Sequence, residues 1–330
     1  MHRMRRSLLG RRQAGVPALA LVWALAIGAL VAPFASAQHP GCSASGFPRT
    51  VVDGLGREIF LAEPPQRIFS ATLATDSILL SMVDPSRIVG VTVFAADPSY
   101  SFVADKVAGH MAKIEQLNAE VVLASRPDIV LVAFFNNQDV VRQMRDLGLK
   151  VYTFTGFSSV LDVIDNIERI GEITGCEAAA AAIVNATYER YGRVAAKIAP
   201  RPRPAVLYWD NWGSTAGSES TLHDIIQMAG GDNVAARHGI TGWNVIDVES
   251  VVAMNPEVII TSYAPEFVQE ILNNPALQEV PAVKAGRVYF LSNIDAPDHR
   301  IFDVIEELAR LLHPEAFSEA FPEALAGALQ

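Results

Sequence analysis

Short apolar runs alternate with amphipathic stretches along most of the chain. Val51 to Ile59, VVDGLGREI, reads as a β-hairpin about an Asp-Gly turn, and Pro64-Pro65 ends it. Beyond it, apolar runs predict strands at 67–71, 88–94, 129–134 and 151–154. Between and after them, helical periodicity predicts helices at 72–83, 118–125, 138–147 and 160–174. The segment Asp97 to Gly109 has no periodicity and reads as a loop carrying Tyr100 and Phe102. The longest helical stretch is Glu177 to Ala199, EAAAAAIVNATYERYGRVAAKIA. It is rich in alanine, contains Gly192 as its only glycine, follows Gly175, and stops before Pro200, Pro202 and Pro204. At ~1.5 Å per residue it would form a rod of roughly 34 Å. After it the alternation resumes, with strands at 205–209, 258–261 and 288–291. Helices are predicted at 221–229, about 251–254, 266–273 and 301–312. Strands and helices at this pitch imply an α/β fold with mostly parallel sheets.

The two halves share a unit. NAEVVLASRPDIVLV (Asn118 to Val132) matches DVESVVAMNPEVIIT (Asp247 to Thr261), pairing Glu120 with Glu249, Pro127 with Pro256 and Asp128 with Glu257. Each copy is an N-capped helix, a proline break and an apolar strand, with Asn118 and Asp247 as the caps. Copies on opposite sides of the long helix predict two Rossmann-like lobes facing each other across a ligand cleft. The expected boundaries are an N-terminal lobe at 38–175, a linking helix at 176–200, a C-terminal lobe at 201–317 and a tail at 318–330. An ordinary surface helix of one larger domain is the competing reading of the long helix. A single helical linker resists hinge bending, so lobe closure of only a few degrees is expected.

Composition changes the picture at the N-terminus. Arg3, Arg5, Arg6, Arg11 and Arg12 precede an apolar run from Val16 to Phe34 and an Ala35-Ser36-Ala37 cleavage site, the pattern of a secretory signal peptide at 1–37. A retained membrane anchor is the alternative, since the run is long. Arg5-Arg6-Ser7-Leu8-Leu9 faintly resembles a twin-arginine signal. Cys42 follows Pro40-Gly41 and lacks a lipoprotein box. Removal of 1–37 takes the charge from -10 with 26 Lys+Arg to 21 − 36 = −15, a surface that disfavours nucleic acid and anionic lipid. Export also places Cys42 and Cys176 in an oxidising compartment, where an even count predicts a disulfide stapling the N-terminal tail to the head of the long helix.

Aromatic residues supply the candidate chemistry. Tyr100, Phe134, Phe135, Trp209, Trp212 and Trp243 fall on predicted strand ends or the loops after them, where parallel lobes gather ligands. Their faces suit a large planar or catecholate ligand. Ser218 and its neighbours could hydrogen-bond a polar rim, and the Gly217 and Ser218 amides could meet an anionic group at the start of the 221 helix. Arg300 could pair with a ligand carboxylate, or with Asp298 or Asp303. His110 reads as lying in a loop open to the cleft, and could be an axial ligand to haem or cobalamin or a solvated surface histidine. No histidine pair has metal-ligand spacing, so no directly bound metal and no cofactor are expected. A nucleophile elbow, a P-loop and a dinucleotide fingerprint are all missing, so an enzyme is not expected.

Taken together, PQRIFSATLATDSILLSM, the two E-x6-P units, IERIGEITG, TAGSESTLHDIIQMAGGDNV and GWNVIDVESVVAMNPEVII carry a resemblance. Over roughly Val51 to Phe317 the chain resembles the helical-backbone class of periplasmic binding proteins, which feed ABC importers of iron–siderophore, haem and cobalamin. The resemblance implies a periplasmic, monomeric substrate-binding protein. It would present Glu120 and Glu249 to arginine pockets on a two-fold permease dimer whose ATPase subunits are separate chains. It also implies that Trp243 lines the ligand cleft. A ferric siderophore or a corrinoid is favoured over haem, because no histidine or tyrosine pair is clearly placed to ligate iron. A ligand sensor is the alternative role.

Overall fold

Parallel strands covered on both faces read as unbroken apolar runs, and the apolar runs of the chain behave this way. The computed structural model describes residues 41–98, 100–262, 264–292, 294 and 300–317. The expected signal peptide and tail therefore lie outside the described residues. In the first half β1 (Arg49–Val52) and β2 (Glu58–Leu61) form an antiparallel hairpin. Asp53 shapes its turn by accepting hydrogen bonds from the Leu55 and Arg57 amides. A sheet follows, made of β3 (Ile68–Ser70), β4 (Ile88–Thr92), β5 (Ala112–Ile114), β6 (Ile129–Ala133) and β7 (Val151–Phe154), all parallel, in the order β5-β4-β3-β6-β7. Its helices are α1 (Leu73–Met82), α2 (Ala119–Ala124), α3 (Gln138–Asp146) and α4 (Val160–Thr174).

The long helix is α5 (Glu177–Ile198), 22 residues. Its buried residues Ala180, Val184, Thr187, Val194 and Ile198 fall on one stripe. The early part packs on α4, and Tyr191 meets Phe302 edge-on further along. The turn into α5 depends on Gly175, which has φ 74° and approaches the Ser43 carbonyl so closely that a Cβ would lie 2.5 Å from it. At this point Cys42 and Cys176 are joined by a disulfide, the Ser43 amide donates to the Gly175 carbonyl, and Arg49 pairs with Glu177.

The second half holds β8 (Ala205–Tyr208), β9 (Ser214–Ala216), α6 (Thr221–Met228), β10 (Asp232–Asn233), α7 (Val234–Arg237), β11 (Trp243–Val245) and α8 (Val248–Met254). It continues with β12 (Val258–Thr261), α9 (Phe267–Asn273), α10 (Pro281–Lys284), β13 (Val288–Phe290) and α11 (Ile301–Leu312). Four of its strands make a parallel sheet in the order β10-β8-β12-β13, while β9 and β11 form a separate antiparallel ribbon. Superposing the orders matches β4, β3, β6, β7 to β10, β8, β12, β13. The short strands β5, β9, β10 and β11 escape the sequence pattern because AKI, STA, DN and WNV form no apolar run, unlike the equally short β3 and β13.

The repeated unit performs the same structural task twice. The Asp128 carboxylate accepts the Gln66 and Arg67 amides at 2.7 and 2.8 Å, clamping the amino end of β3 to β6. The Glu257 carboxylate accepts the Ala205 amide at 2.7 Å and does the same for β8 and β12. Arg126 and Asn255, each just before the shared proline, are both left-handed, with φ 47° and 50°. A continuous apolar core includes Ile167 and Ile170 of α4, Ala180 and Ile198 of α5, Ile226 of α6 and Leu308 of α11, so both halves share it. No helix among the described residues is long and apolar enough to cross a membrane.

Candidate ligand cleft

At the carboxyl ends of the first sheet the chain places aromatic rings. The residues after β6 are wired tightly. Asn136 accepts the Ala133 amide and donates to the Ala71 carbonyl, and Gln138 donates to the Phe134 carbonyl. This turn leaves Phe134 half exposed and Phe135 60% exposed. Both rings pack on Phe157, from the loop after β7, with centroids 6.3 and 5.2 Å away. After β4, Phe94 and Tyr100 stand edge to face at 5.6 Å, and both are exposed. The strand-end rule that selected Tyr100, Phe134 and Phe135 applies equally to Phe94 and Phe157, which the sequence reading left out.

A second aromatic group, past the carboxyl end of β8, is built around the β9–β11 ribbon. Asp210, buried after β8, accepts the Trp212 and Ser214 amides and so folds the turn that carries Trp212, 63% exposed. Trp243, 52% exposed on β11, stands edge-on to Tyr208 at 5.7 Å. The Tyr208 hydroxyl is shared with Ser262 at 2.7 Å, which fixes the ring under the indole. Gly217 permits the ribbon to close, since a Cβ there would lie 1.8 Å from the Ile240 carbonyl oxygen.

Several expectations need correcting. Side chains alternate along β8, so Val206 and Tyr208 enter one apolar cluster while Leu207 and Trp209 enter another. Trp209 is accordingly 6% exposed and packs on Phe267 of α9, in the core instead of an open loop. The Gly217 and Ser218 amides donate to the Gly242 and Ile240 carbonyls, so neither is free for an anion, and the half-buried Ser218 hydroxyl also faces Ile240. Arg300 follows one of its expected alternatives, bonding to Asp303 at 2.5 Å, and it also stacks on Phe102 of the first half, 4.2 Å from the ring centroid. His110 hydrogen-bonds the carbonyl of Ile88, the first residue of β4. That is the amino end of the parallel sheet, away from the aromatic rims.

The stretches 93–102, 134–137, 155–159, 209–220 and 239–247 contain no lysine or arginine. The charge on these stretches is acidic, from Asp97, Asp210, Glu219 and Asp247. Beneath the first rim Asp76 of α1 is fully buried, and burial pushes its carboxyl up from 3.8 to about 6. Direct bonds cross between the halves near the rims. The Val160 amide donates to the Asp224 carboxylate at 2.9 Å, and the Thr221 hydroxyl donates to the Phe157 carbonyl at 3.1 Å.

Glu120 and Glu249 are exposed in the first turns of α2 and α8, behind their caps Asn118 and Asp247. The two helices lead into matching parallel strands, β6 and β12.

Comparison with known proteins fits this geometry. A cobalamin-binding protein of Halobacterium salinarum is 27% identical over 309 residues, spanning 90% of this chain and 83% of that protein. The Bacillus subtilis ABC transporter substrate-binding lipoprotein YvrC is 25% identical, over 83% of this chain and 88% of its own length. The Helicobacter pylori protein CeuE in its nickel–histidine complex has the same fold, with TM-score 0.70 and 22% identity across 82% of this chain and 89% of its own. Residues 68–294 match the periplasmic binding protein family, and the chain belongs to that family as a substrate-binding protein of ABC import, not an enzyme.

Proposed function

We propose that this protein captures a corrinoid between its two lobes and delivers it to an ABC importer. The observation that carries the reading is the set of aromatic rings on strand-end stretches, 93–102, 134–137, 155–159, 209–220 and 239–247, that contain no lysine or arginine. A ferric siderophore or a haem brings concentrated negative charge, which would call for lysine or arginine around it. The strand-end loops offer Phe94, Tyr100, Phe134, Phe135, Phe157, Trp212 and Trp243 instead, and Arg300 is already engaged with Phe102 and Asp303. Such walls suit a bulky, largely apolar macrocycle with neutral amide edges. The similarity to a cobalamin-binding protein over most of both chains supports the same choice.

In this reading the mature chain begins after a signal peptide at 1–37 and works as a monomer in the periplasm. The lobes are 38–175 and 201–317, and 176–200 is the spacer that fixes their separation. Glu120 and Glu249 dock the two halves of a dimeric permease, because matched acids on duplicated lobes suit a two-fold partner.

Tryptophan quenching on titration with cyanocobalamin tests the ligand. Saturable submicromolar binding is expected, with hemin and a ferric catecholate much weaker; a Soret band in the protein as purified would overturn the assignment. Reversing both charges (Glu120→Arg with Glu249→Arg) should leave cyanocobalamin binding unchanged and abolish uptake. Normal uptake by that variant would remove the docking role.

A further inference from the structure

We propose that Asp76 is a positioning residue for the aromatic loop. Its carboxylate holds Thr92, and through it the Phe94–Tyr100 pair, in place, and gaining a proton loosens that hold. The inference rests on reading the cleft as the ligand site, without depending on which ligand fills it.

Thr92 is the last residue of β4, and the chain turns directly from it into the segment bearing Phe94 and Tyr100. One carboxylate oxygen of Asp76 accepts both the Thr92 amide, at 2.9 Å, and the Thr92 hydroxyl, at 2.6 Å. Two bonds to an ionised acceptor are stronger than two to a neutral one, so the grip depends on charge. The other oxygen, Oδ1, is buried and has no hydrogen-bond partner among the described residues. A residue kept only for packing or for the Thr92 amide need not be a carboxylic acid. Asparagine has the same shape and an acceptor oxygen, and does not bury a charge.

Burial is the dominant influence on this group. The Ser70 hydroxyl and the Thr92 hydroxyl and amide oppose it, and no charged neighbour takes part. The folded value, about 6, lies above the ordinary 3.8. The stability this group contributes is therefore complete below the ordinary value and is lost as the pH rises through about 6. At neutral pH the fold thus retains an ionised buried carboxylate at a cost in stability while the loop is held most firmly. Global stability and loop order are set against each other at one side chain.

Amide hydrogen exchange of the ligand-free protein separates this from a structural role. After correction for intrinsic rates, protection of the 93–102 segment should fall about tenfold between about pH 7.5 and about pH 5, while β6 and β12 hold theirs. Asp76→Asn should show the low protection at both pH values and a raised Tm at about pH 7.5. A variant with lowered Tm and general loss of protection would reduce Asp76 to a structural residue. Exchange indifferent to both pH and substitution would also overturn the proposal.

If Asp76→Asn does not fold, Thr92→Val decides the matter. Loss of one bond to the charged form should move the midpoint of the pH change upward, and an unmoved midpoint counts against the proposal. Cyanocobalamin affinity should weaken about tenfold over the same pH range in the wild type. Failure to bind cyanocobalamin at any pH would sink the corrinoid reading alone, because the exchange measurements need no ligand.

Discussion

The two halves of the chain are alike in what holds them up and unlike in the rings at their strand ends. In both, a left-handed residue precedes a proline, and an acid just beyond it clamps two neighbouring parallel strands: Asp128 joins β3 to β6, and Glu257 joins β8 to β12. The rims share nothing of this kind. One holds three phenylalanines packed on each other and a Phe94–Tyr100 pair; the other holds Trp243 on the antiparallel β9–β11 ribbon and Trp212 on the turn leading into it. The shared unit keeps the scaffold, where geometry is demanding, while the surface loops differ between the halves.

The largest expected effect comes from a feature only the first lobe has. Cys42–Cys176 closes a separation of 134 residues and ties the start of the described chain to the head of α5. Replacing both cysteines with alanine should cost about 3–5 kcal/mol, chiefly by freeing the unfolded chain. Chemical denaturation of the variant against the oxidised wild type measures this. A loss below about 1 kcal/mol would mean that the hydrogen bonds from Ser43 and the Arg49–Glu177 pair fix the junction unaided.

Next come the rims themselves. Trp243→Ala removes an exposed ring that leans on Tyr208, and should weaken cyanocobalamin binding by about 1–3 kcal/mol with little change in Tm. Phe135→Ala should cost less than Trp243→Ala, about 1 kcal/mol, since Phe134 and Phe157 remain beside the gap. Titration calorimetry on both variants decides whether the lobes contribute unequally. Equal losses would show that the rims, though built differently, grip alike.

Much of this organisation is legible in the sequence, and the misses have physical causes. Fully buried parallel strands announce themselves as apolar runs, and the duplicated E-x6-P unit exposes the lobe symmetry without any structure. Asp128 and Glu257 also appear there as aligned acids, but their clamps depend on a partner strand over 50 residues away, which spacing cannot reveal. Trp209 misled because a strand end and a core position differ by one residue of alternation. Ser218 misled because the loop 240–242, which consumes its amide, pairs with it only after the chain has returned. His110 misled because a long connection leaves one end of a sheet and re-enters at the other, and its exit residues belong to the far side.

The clamps offer a finer comparison. Asp128 accepts two amides with a single oxygen, whereas the bond at Glu257 is to one amide. At about 1 kcal/mol per hydrogen bond, Asp128→Ala should destabilise by about 2 kcal/mol and Glu257→Ala by about 1. Urea midpoints would rank them, and the reverse order would show that the second lobe, with its smaller sheet, leans harder on its clamp.

The smallest effect tests whether the lobes move independently at all. Asp224, in the first turn of α6, accepts the amide of Val160, the first residue of α4, so an acid of one lobe caps a helix of the other. Its charge also meets the positive end of that helix. Asp224→Asn keeps an acceptor and loses the charge, so the expected cost is only about 0.5–1 kcal/mol. The apolar core that runs through α4, α5, α6 and α11 remains, and with it the resistance to bending. Small-angle scattering of this variant, with and without cyanocobalamin, should therefore match the wild type, with closure of a few degrees at most. A wild type that stays rigid beside a variant that closes widely would shift the source of rigidity from α5 and the shared core to this one charged cap.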